Sequence, residues 1–244
     1  MGSSLSVCTI CQDEEYVIRW YLESMAHIAA TLPDLKEVVL VDGGSKDNTI
    51  DIINSYKDRI PIRLFERTWD FTRAQMNYGI DQCSGDYIFV PDADMTVTTN
   101  FSAWFKSGEH KTSSYWDFML LFTARDAYHY FNWPVGPSMR LFKAGKRYDE
   151  TRKYHVHLEG QYSGIPVCKE VIMFENSMRV SNEAALLHRG ERRQICRDDM
   201  TKEGGDPGPP DRFLNAQRAS LNNPALVLEI HQSIKDIILP STNG

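Results

Sequence analysis

The sequence predicts an α/β domain built on a mostly parallel, doubly wound sheet. Short apolar, β-branched runs alternate with amphipathic helical stretches through the N-terminal part of the chain, the joins between them are short, and polar residues recur where the apolar runs stop. Such alternation brings the carboxyl ends of the strands to one crevice, where open α/β sheets bind their ligands.

Residues 5–10 (Leu-Ser-Val-Cys-Thr-Ile) read as the first strand. A helix is then expected from Asp13, with Asp13 as its N-cap and Glu14 and Glu15 suited to the positive helix start. Ile18, Tyr21, Leu22, Met25 and Ile28 fall at helical spacing, and Leu32-Pro33-Asp34 breaks the pattern. Residues 37–41 form a second strand ending at Asp42, and the turn Gly43-Gly44-Ser45 leads into a helix over about 48–56. A third strand at 62–65 and a helix over about 71–82 repeat the unit. Tyr87-Ile88-Phe89-Val90 is a fourth, buried strand, and past the breaker Pro91 it delivers Asp92 and Asp94 onto a loop. Thr9, Asp42 and Asp92 therefore all stand at strand carboxyl ends. An Asp-x-Asp in that position can hold a hard divalent cation against a phosphate-bearing substrate; by itself the pattern also occurs in solvated turns.

The second half has a different texture. Residues 115–142 are rich in aromatics (Trp116, Phe118, Phe122, Tyr128, Tyr130, Phe131, Trp133) and read as irregular strands whose rings mostly pack the core, with a minority available to stack on a sugar. His155-Val156-His157-Leu158-Glu159 alternates, so His155, His157 and Glu159 share one face of a strand. Residues 183–187 lead to His188, and a charged stretch follows to Lys202. Gly204-Gly205-Asp206-Pro207-Gly208-Pro209-Pro210 is a linker by composition, with helical pieces expected around 212–221 and 224–238.

Composition removes several function classes. The chain has 244 residues, 42% of them apolar, enough for one large α/β domain or two small ones. A formal charge of -6 without a Lys/Arg-rich block argues against nucleic acid as a partner. No uncharged apolar run approaches a transmembrane segment and no secretory pattern opens the chain, so a soluble, cytoplasmic protein is expected. Met1-Gly2-Ser3-Ser4-Leu5-Ser6 fits a loose myristoylation pattern, but a strand opening at Leu5 favours a plain N-terminus. The 5 cysteines are odd in number, and Cys8-x-x-Cys11, with Cys8 inside a strand, reads as buried thiols. Neither a Walker A nor a Gly-x-Gly-x-x-Gly sequence occurs, and Ile10-Cys11-Gln12-Asp13 lacks the glycine-rich loop of nucleotidyl transfer.

Four ordered pieces carry a family resemblance: Ser6-Val7-Cys8-Thr9 with Asp13-Glu14-Glu15; Val41-Asp42-Gly43-Gly44-Ser45-Lys46-Asp47-Asn48-Thr49; Arg73-Ala74-Gln75-Met76-Asn77-Tyr78-Gly79; and Gly85-Asp86-Tyr87 running to Asp92-Ala93-Asp94. In this the chain resembles the family 2 nucleotide-sugar glycosyltransferases of the GT-A fold, and it is also similar to a glycosyltransferase domain of large algal (chlorella) viruses. Beyond Asp94 the likeness thins to Met139-Arg140-Leu141-Phe142, the region of His157 to Glu159, and His188. The resemblance implies a nucleotide-diphospho-sugar transferase: residues 1–98 as the nucleotide-sugar-binding half, 99–203 as a mixed acceptor-side half of the same domain, and 204–244 as linker and tail. If the source is viral, the host cytoplasm is implied. The likeness assigns Thr9, Asp42 and Arg73 to the nucleobase and ribose pocket, Asp92 to the ribose or metal, Asp94 to the metal bridging the diphosphate, and His188 as a further metal ligand. Two departures stand out. The family usually has two acids before the Gly-Ser turn, whereas the second is Gly43 here; and Gln194-Ile195-Cys196-Arg197 is followed by Asp198, which leaves the processive-synthase signature Gln-x-x-Arg-Trp half present.

The chemistry follows from these residues. Glycosyl transfer needs a stabilised leaving group and a deprotonated acceptor oxygen. A cation on Asp94 and Asp92 would neutralise the departing diphosphate as a Lewis acid; carboxylates and phosphate oxygens suit Mn²⁺ or Mg²⁺, and an imidazole such as His188 tilts the choice towards Mn²⁺. For an inverting reaction the acceptor proton goes to a carboxylate, Glu159 as first candidate and Asp149 as second, and His157 would contact donor sugar or acceptor. The expected partners are a UDP-sugar donor and a glycan or glycoprotein acceptor, one sugar being added per encounter. A retaining transferase would use the same nucleotide and metal residues, and a non-catalytic sugar- or nucleotide-binding module is the alternative from outside enzymology.

Overall fold

Strand β1 (Leu5–Cys11) is buried along almost its whole length and pairs in parallel with β2 (Leu35–Asp42) on one side and β4 (Tyr87–Phe89) on the other. A strand covered on both faces has no solvent side, which is why it reads as a continuous apolar run and not as an alternation. This computed structural model describes residues 3–15, 17–123, 130–132, 140–150 and 165–175. Within them β3 (Ile62–Glu66) extends the parallel set beyond β2. On the far side of β4 the sheet turns mixed. There β8 (Leu141–Lys143) runs antiparallel to β4, β6 (Tyr115–Thr123) antiparallel to β8, β9 (Val167–Glu175) parallel to β6, and β5 (Met95–Val97) antiparallel to β9. The order is β3-β2-β1-β4-β8-β6-β9-β5, with β7 (Tyr130–Asn132) paired to β6. The crossovers leave β1 in opposite directions along the sheet, so the gap between β1 and β4 is the topological switch point, where an open sheet leaves a crevice.

The helices are α1 (Ile18–Thr31), α2 (Thr49–Asn54), α3 (Thr72–Asp81) and α4 (Phe101–Ser107). The face of α1 predicted from its spacing is the face it buries: Ile18, Tyr21, Leu22, Met25 and Ile28 all enter the core. Its start is different. Asp13 does not cap α1, which begins five residues later with Val17 in the N-cap position and no side-chain cap. Asp13 is instead held at φ 55, a left-handed conformation that Asp tolerates better than most residues. The reason is tertiary: the N–H groups of residues 13–15 point sideways into the loop after β2, as described below.

Close approach at two glycines sets the packing. A Cβ on Gly79 of α3 would lie 2.6 Å from Cys8 Sγ and 3.0 Å from Val41 Cγ2, so only glycine lets α3 lie this tightly on β1 and β2. At Gly85, before β4, a Cβ would meet the Ser6 backbone nitrogen at 2.5 Å. At this amino end of the sheet the buried Glu37 carboxylate accepts hydrogen bonds from Ser6 Oγ, Arg63 Nη1 and both the N–H and hydroxyl of Ser84, drawing together β1, β2, β3 and the approach to β4.

Of the aromatic residues expected in irregular strands, Trp116 and Phe118 are core residues, stacked edge-on against Trp104 with ring centroids 5.3 Å away in each case. They are unavailable as sugar platforms. Irregularity is confirmed at one point, a register shift between Phe118 and Met119 where β6 meets β9. Strand β9 itself, β5 and α4 have no counterpart in the sequence-based expectation. The proposed strand at 155–159, the linker 204–210 and the two tail helices lie outside the described residues.

Candidate active site

Three strand ends and two short loops converge at the switch point. Past β4 the chain makes a tight turn, Met95 N–H donating to Asp92 C=O at 3.0 Å as in a four-residue turn, so that Asp92-Ala93-Asp94 is a defined loop between β4 and β5. The Thr9 hydroxyl, at the end of β1, donates to Pro91 C=O at 2.9 Å across the gap. Thr9 is buried, and its hydroxyl thereby fixes the acidic loop to the neighbouring strand; the structure gives it an anchoring part and not an open face on a pocket.

The two aspartates of the loop differ. Asp94 is 3% exposed. Asp92 is half-exposed, and Arg140 Nη2 donates to its Oδ2 at 2.9 Å while Nη1 of the same guanidinium donates to Val90 C=O at 3.1 Å. Arg140 precedes β8, and its C=O receives the Val90 N–H at 2.7 Å, so the mixed half of the sheet grips the acidic loop from the side opposite Thr9. The buried Tyr148 ring lies in the same field: burial pushes its phenol well above the ordinary range, the Arg140 charge pulls it back and the Asp92 charge adds to the rise. Asn77 of α3 holds this segment by both atoms of its amide, Nδ2 donating to Tyr148 C=O at 3.0 Å and Oδ1 accepting from Tyr148 N–H at 2.9 Å, with a further bond from Nδ2 to Glu150. Half-buried Asp149 is carried between these fixed points.

Asp42, at the end of β2, is buried and turned onto its own turn. Its Oδ2 accepts from the N–H groups of Gly44 and Ser45 at 2.7 and 2.8 Å, and its Oδ1 accepts the Ser45 hydroxyl at 2.5 Å. The loops after β1 and β2 then lock together reciprocally. Asp13 N–H donates to Ser45 Oγ, Lys46 N–H to Asp13 Oδ1, Glu14 N–H to Thr49 Oγ1, Glu15 N–H to Asp47, and Asn48 to the Glu15 carboxylate. Of the side chains expected to start α1, those of Asp13 and Glu15 are spent on this lock. Burial, with the Asp42 charge beside it, pushes the Cys11 thiol up, so Cys11 stays a protonated core group; Cys8 is buried too, as expected.

Arg73, in the first turn of α3, is 0% exposed. It is therefore no surface charge, and a guanidinium removed from water must be held by the protein around it. His157, Glu159 and His188 lie outside the described residues. The structure thus ties Thr9 and Arg140 to the acidic loop of Asp92 and Asp94, while Asp42 is folded onto its own turn after β2 and Arg73 is buried in the first turn of α3. Arg140, Asn77 and Ser45 are site-building residues that sequence reasoning left without a role, although each lies inside a stretch that carried the family resemblance.

Among the described residues no group of three or more His, Cys, Asp or Glu side chains is gathered as a preformed metal cage. The donor set nevertheless suits a divalent cation of the Mg²⁺ type, which is commonly held by one or two carboxylates and completed by substrate phosphates. Asp94 and Asp92 are the residues present for that.

Residues 6–102 match the model of glycosyl transferase family 2. That span runs from β1 through the acidic loop into α4 and carries every strand end described above. Among curated proteins, the chain is 35% identical over 91 residues to the lipopolysaccharide core biosynthesis glycosyltransferase LpsC of Rhizobium meliloti, covering 37% of this chain and 31% of LpsC. It is 28% identical over 88 residues to poly-beta-1,6-N-acetyl-D-glucosamine synthase of Staphylococcus aureus, covering 36% of this chain and 21% of that protein. The match therefore spans less than a third of either relative. Among solved structures, S. aureus TarS 1–349 superposes with a TM-score of 0.56 at 13% identity, covering 96% of this chain and 73% of that one. TarS 1–349 in complex with UDP-GlcNAc gives 0.53 at 11% identity, covering 96% and 81%. A mannosyltransferase from Pyrobaculum calidifontis in complex with GDP-Man and Mn²⁺ gives 0.53 at 15%, covering 96% and 74%. At these identities the likeness establishes the fold, which is that of the GT-A glycosyltransferases, and the family 2 similarity is confined to residues 6–102, less than half of the chain.

Proposed function

We propose that this chain transfers one sugar per encounter from a nucleoside-diphosphate donor, a UDP-sugar in the first instance, to a hydroxyl of a glycan or glycoprotein acceptor, with a divalent cation, Mn²⁺ or Mg²⁺, between the donor's diphosphate and the acidic loop. The observation that carries the proposal is the Asp92-Ala93-Asp94 turn at the switch point, fixed from one side by Thr9 and from the other by Arg140. A loop held at both flanks presents its carboxylates at a set position, which is what electrostatic stabilisation of a departing anion requires. The cation would supply Lewis acidity for that departure. Asp94 and Asp92 would hold it, with His188 as a further ligand; Asp42 and Arg73 would shape the nucleobase and ribose end, and His157 would face sugar or acceptor. For inversion the acceptor proton goes to a carboxylate, Glu159 or, second, Asp149. A cytoplasmic setting belongs to the same proposal, as does a source among large algal viruses, which rests on the sequence resemblance alone. No helix among the described residues is long and apolar enough to cross a membrane.

The test is a thermal-shift panel of UDP-, GDP- and CMP-sugars with and without Mn²⁺, because a ligand that prefers the native state raises its melting temperature. A metal-dependent shift with at least one donor, lost in Asp94→Asn at unchanged far-UV spectrum, supports the proposal. Asn keeps the shape of this buried side chain and removes its charge. A folded Asp94→Asn variant with full transfer sinks the metal role; nucleotide binding without turnover on any acceptor would make the domain a binding module.

A further inference from the structure

Gly43 stands where the resemblance places a second acid, and the space beside it is taken. A Cβ on Gly43 would lie 2.7 Å from Cε3 of Trp69, 3.3 Å from Gln12 Cβ and 3.4 Å from Cys11 C=O. The indole therefore rests on the glycine's bare α-carbon. Trp69 belongs to the loop between β3 and α3, at the carboxyl edge of the parallel strands and on the same side as the Asp42 turn. Gly43 N–H pairs with Cys11 C=O, and Arg67 N–H with Asp42 C=O, so β1, β2 and this loop remain in register up to the ring.

The loop is also built to keep the ring in place. On the Arg67 side, the guanidinium makes a double hydrogen bond to Asp70, at 2.8 and 2.6 Å, and a further one to Gln75 Oε1. Gln75 Nε2 returns a bond to Arg67 C=O at 2.9 Å, and Asp70 Oδ1 also accepts the Phe71 N–H. Trp69 sits between these clamped residues and is itself only half-buried. A large aromatic ring that remains partly in water, on a loop this constrained, is a preorganised surface. Meanwhile the acceptor sites of Asp42 are largely occupied by Gly44 and Ser45, and position 43 offers no side chain at all.

We propose that Trp69, seated on Gly43, is the shelf on which the donor's base stacks, so that this site reads the base mainly by its π-face and tolerates both a pyrimidine and a purine. The inference rests on the glycosyltransferase reading above and adds to it the residue and the manner of base recognition. Stacking on an aromatic side chain is tolerant because every base has a π-face, whereas a carboxylate aimed at a base edge discriminates strongly.

Calorimetric titration of UDP and of GDP, each with Mn²⁺, into the full chain and its Trp69→Ala, Trp69→Phe and Gly43→Ala variants tests this. Both nucleotides should bind the unaltered protein with affinities within about tenfold of each other. Trp69→Ala should weaken both by roughly tenfold or more, Trp69→Phe by less, and Gly43→Ala should weaken both by displacing the ring. Nucleotide should also quench tryptophan fluorescence in the unaltered protein, and this quench should vanish in Trp69→Phe, a conservative variant that keeps a ring on the glycine. Binding by Trp69→Phe and Trp69→Ala equal to that of the unaltered chain, or a preference of about a hundredfold or more for one base, overturns the shelf while leaving the transferase standing. Failure of the unaltered protein to bind either nucleotide overturns both.

Discussion

At the scale of single residues, the Arg140–Asp92 pair is the contact whose charge matters most to the proposed chemistry. Arg140 holds the acidic loop in place but also offsets the charge of a carboxylate that a cation would use. Asp92 is 40% exposed in its side chain, so solvent screens the pair and its worth to stability is modest, about 1 kcal/mol or less. Arg140→Gln keeps a donor for Val90 C=O and removes the positive charge. Nucleotide-free Mn²⁺ should then bind more tightly, by a few-fold, with a melting temperature lowered only slightly; electron paramagnetic resonance titration of Mn²⁺ reads the first, and an unchanged or weaker Mn²⁺ affinity would show that Asp92 does not face the cation. Arg73 carries the opposite lesson. Its complete burial makes it part of the fold, so loss of nucleotide affinity in Arg73→Ala is interpretable only beside a measured stability.

At the scale of elements, the lock between the loops after β1 and β2 replaces the helix start that Asp13, Glu14 and Glu15 would otherwise make. Ser45 is its pivot: its Oγ accepts the Asp13 N–H and donates to Asp42. Ser45→Ala leaves a partly buried N–H and a carboxylate oxygen without that partner, which costs about 1–3 kcal/mol. Urea denaturation should show a lower midpoint at an unchanged slope; a midpoint equal to that of the parent protein would mean that the two loops stand independently. Gly85→Ala is expected to be worse. The added methyl would lie 2.5 Å from Ser6 backbone nitrogen, a contact that only a shift of β1 or β4 can relieve, and a destabilisation of several kcal/mol by the same denaturation measurement is the outcome.

At the scale of the whole molecule, Glu37 couples three strands of the parallel half and the approach to the fourth through one buried carboxylate. Burial alone would raise its pKa; the hydrogen bonds from Arg63, Ser6 and Ser84 outweigh burial and lower it from 4.5 to about 2. A carboxyl group depressed in the folded state binds its proton more readily when unfolded. Its stabilisation is therefore complete above about 4.5 and is lost as pH falls through about 2. The difference corresponds to something on the order of 3 kcal/mol. Glu37→Gln should melt lower than the parent at neutral pH, and the gap between the two should narrow steadily as pH is taken from 5 towards 2 in a thermal-melt series, roughly across that window. A gap independent of pH would assign the network to packing and not to charge.

Strand and helix positions in the first half were legible because they depend on local chemistry. The apolar runs of β1 to β4 and the helical spacing of Ile18 to Ile28 are consequences of which residues must leave water, and the sequence states these directly. The acidic loop was legible for the same reason, since Pro91 and the end of an apolar run mark where β4 stops. What the sequence left open was set by contacts between distant segments. Asp13 looked like a helix cap because its neighbours in sequence allow one; Ser45 and Lys46, far along the chain, claim it instead. Strand β9 was missed because its worth lies in pairing with β6 and β5, which no local pattern announces. The partner of Asp92, the clamp of Asn77 on Tyr148 and the seat of Trp69 on Gly43 belong to the same class. The sequence by itself determined the alternation of strand and helix and the placing of carboxylates at strand ends, because hydrophobic burial and turn chemistry act between near neighbours. Only the tertiary structure decided which of those polar groups hold the fold together and which partners they take, because a side chain's hydrogen-bond partner is chosen by proximity in space.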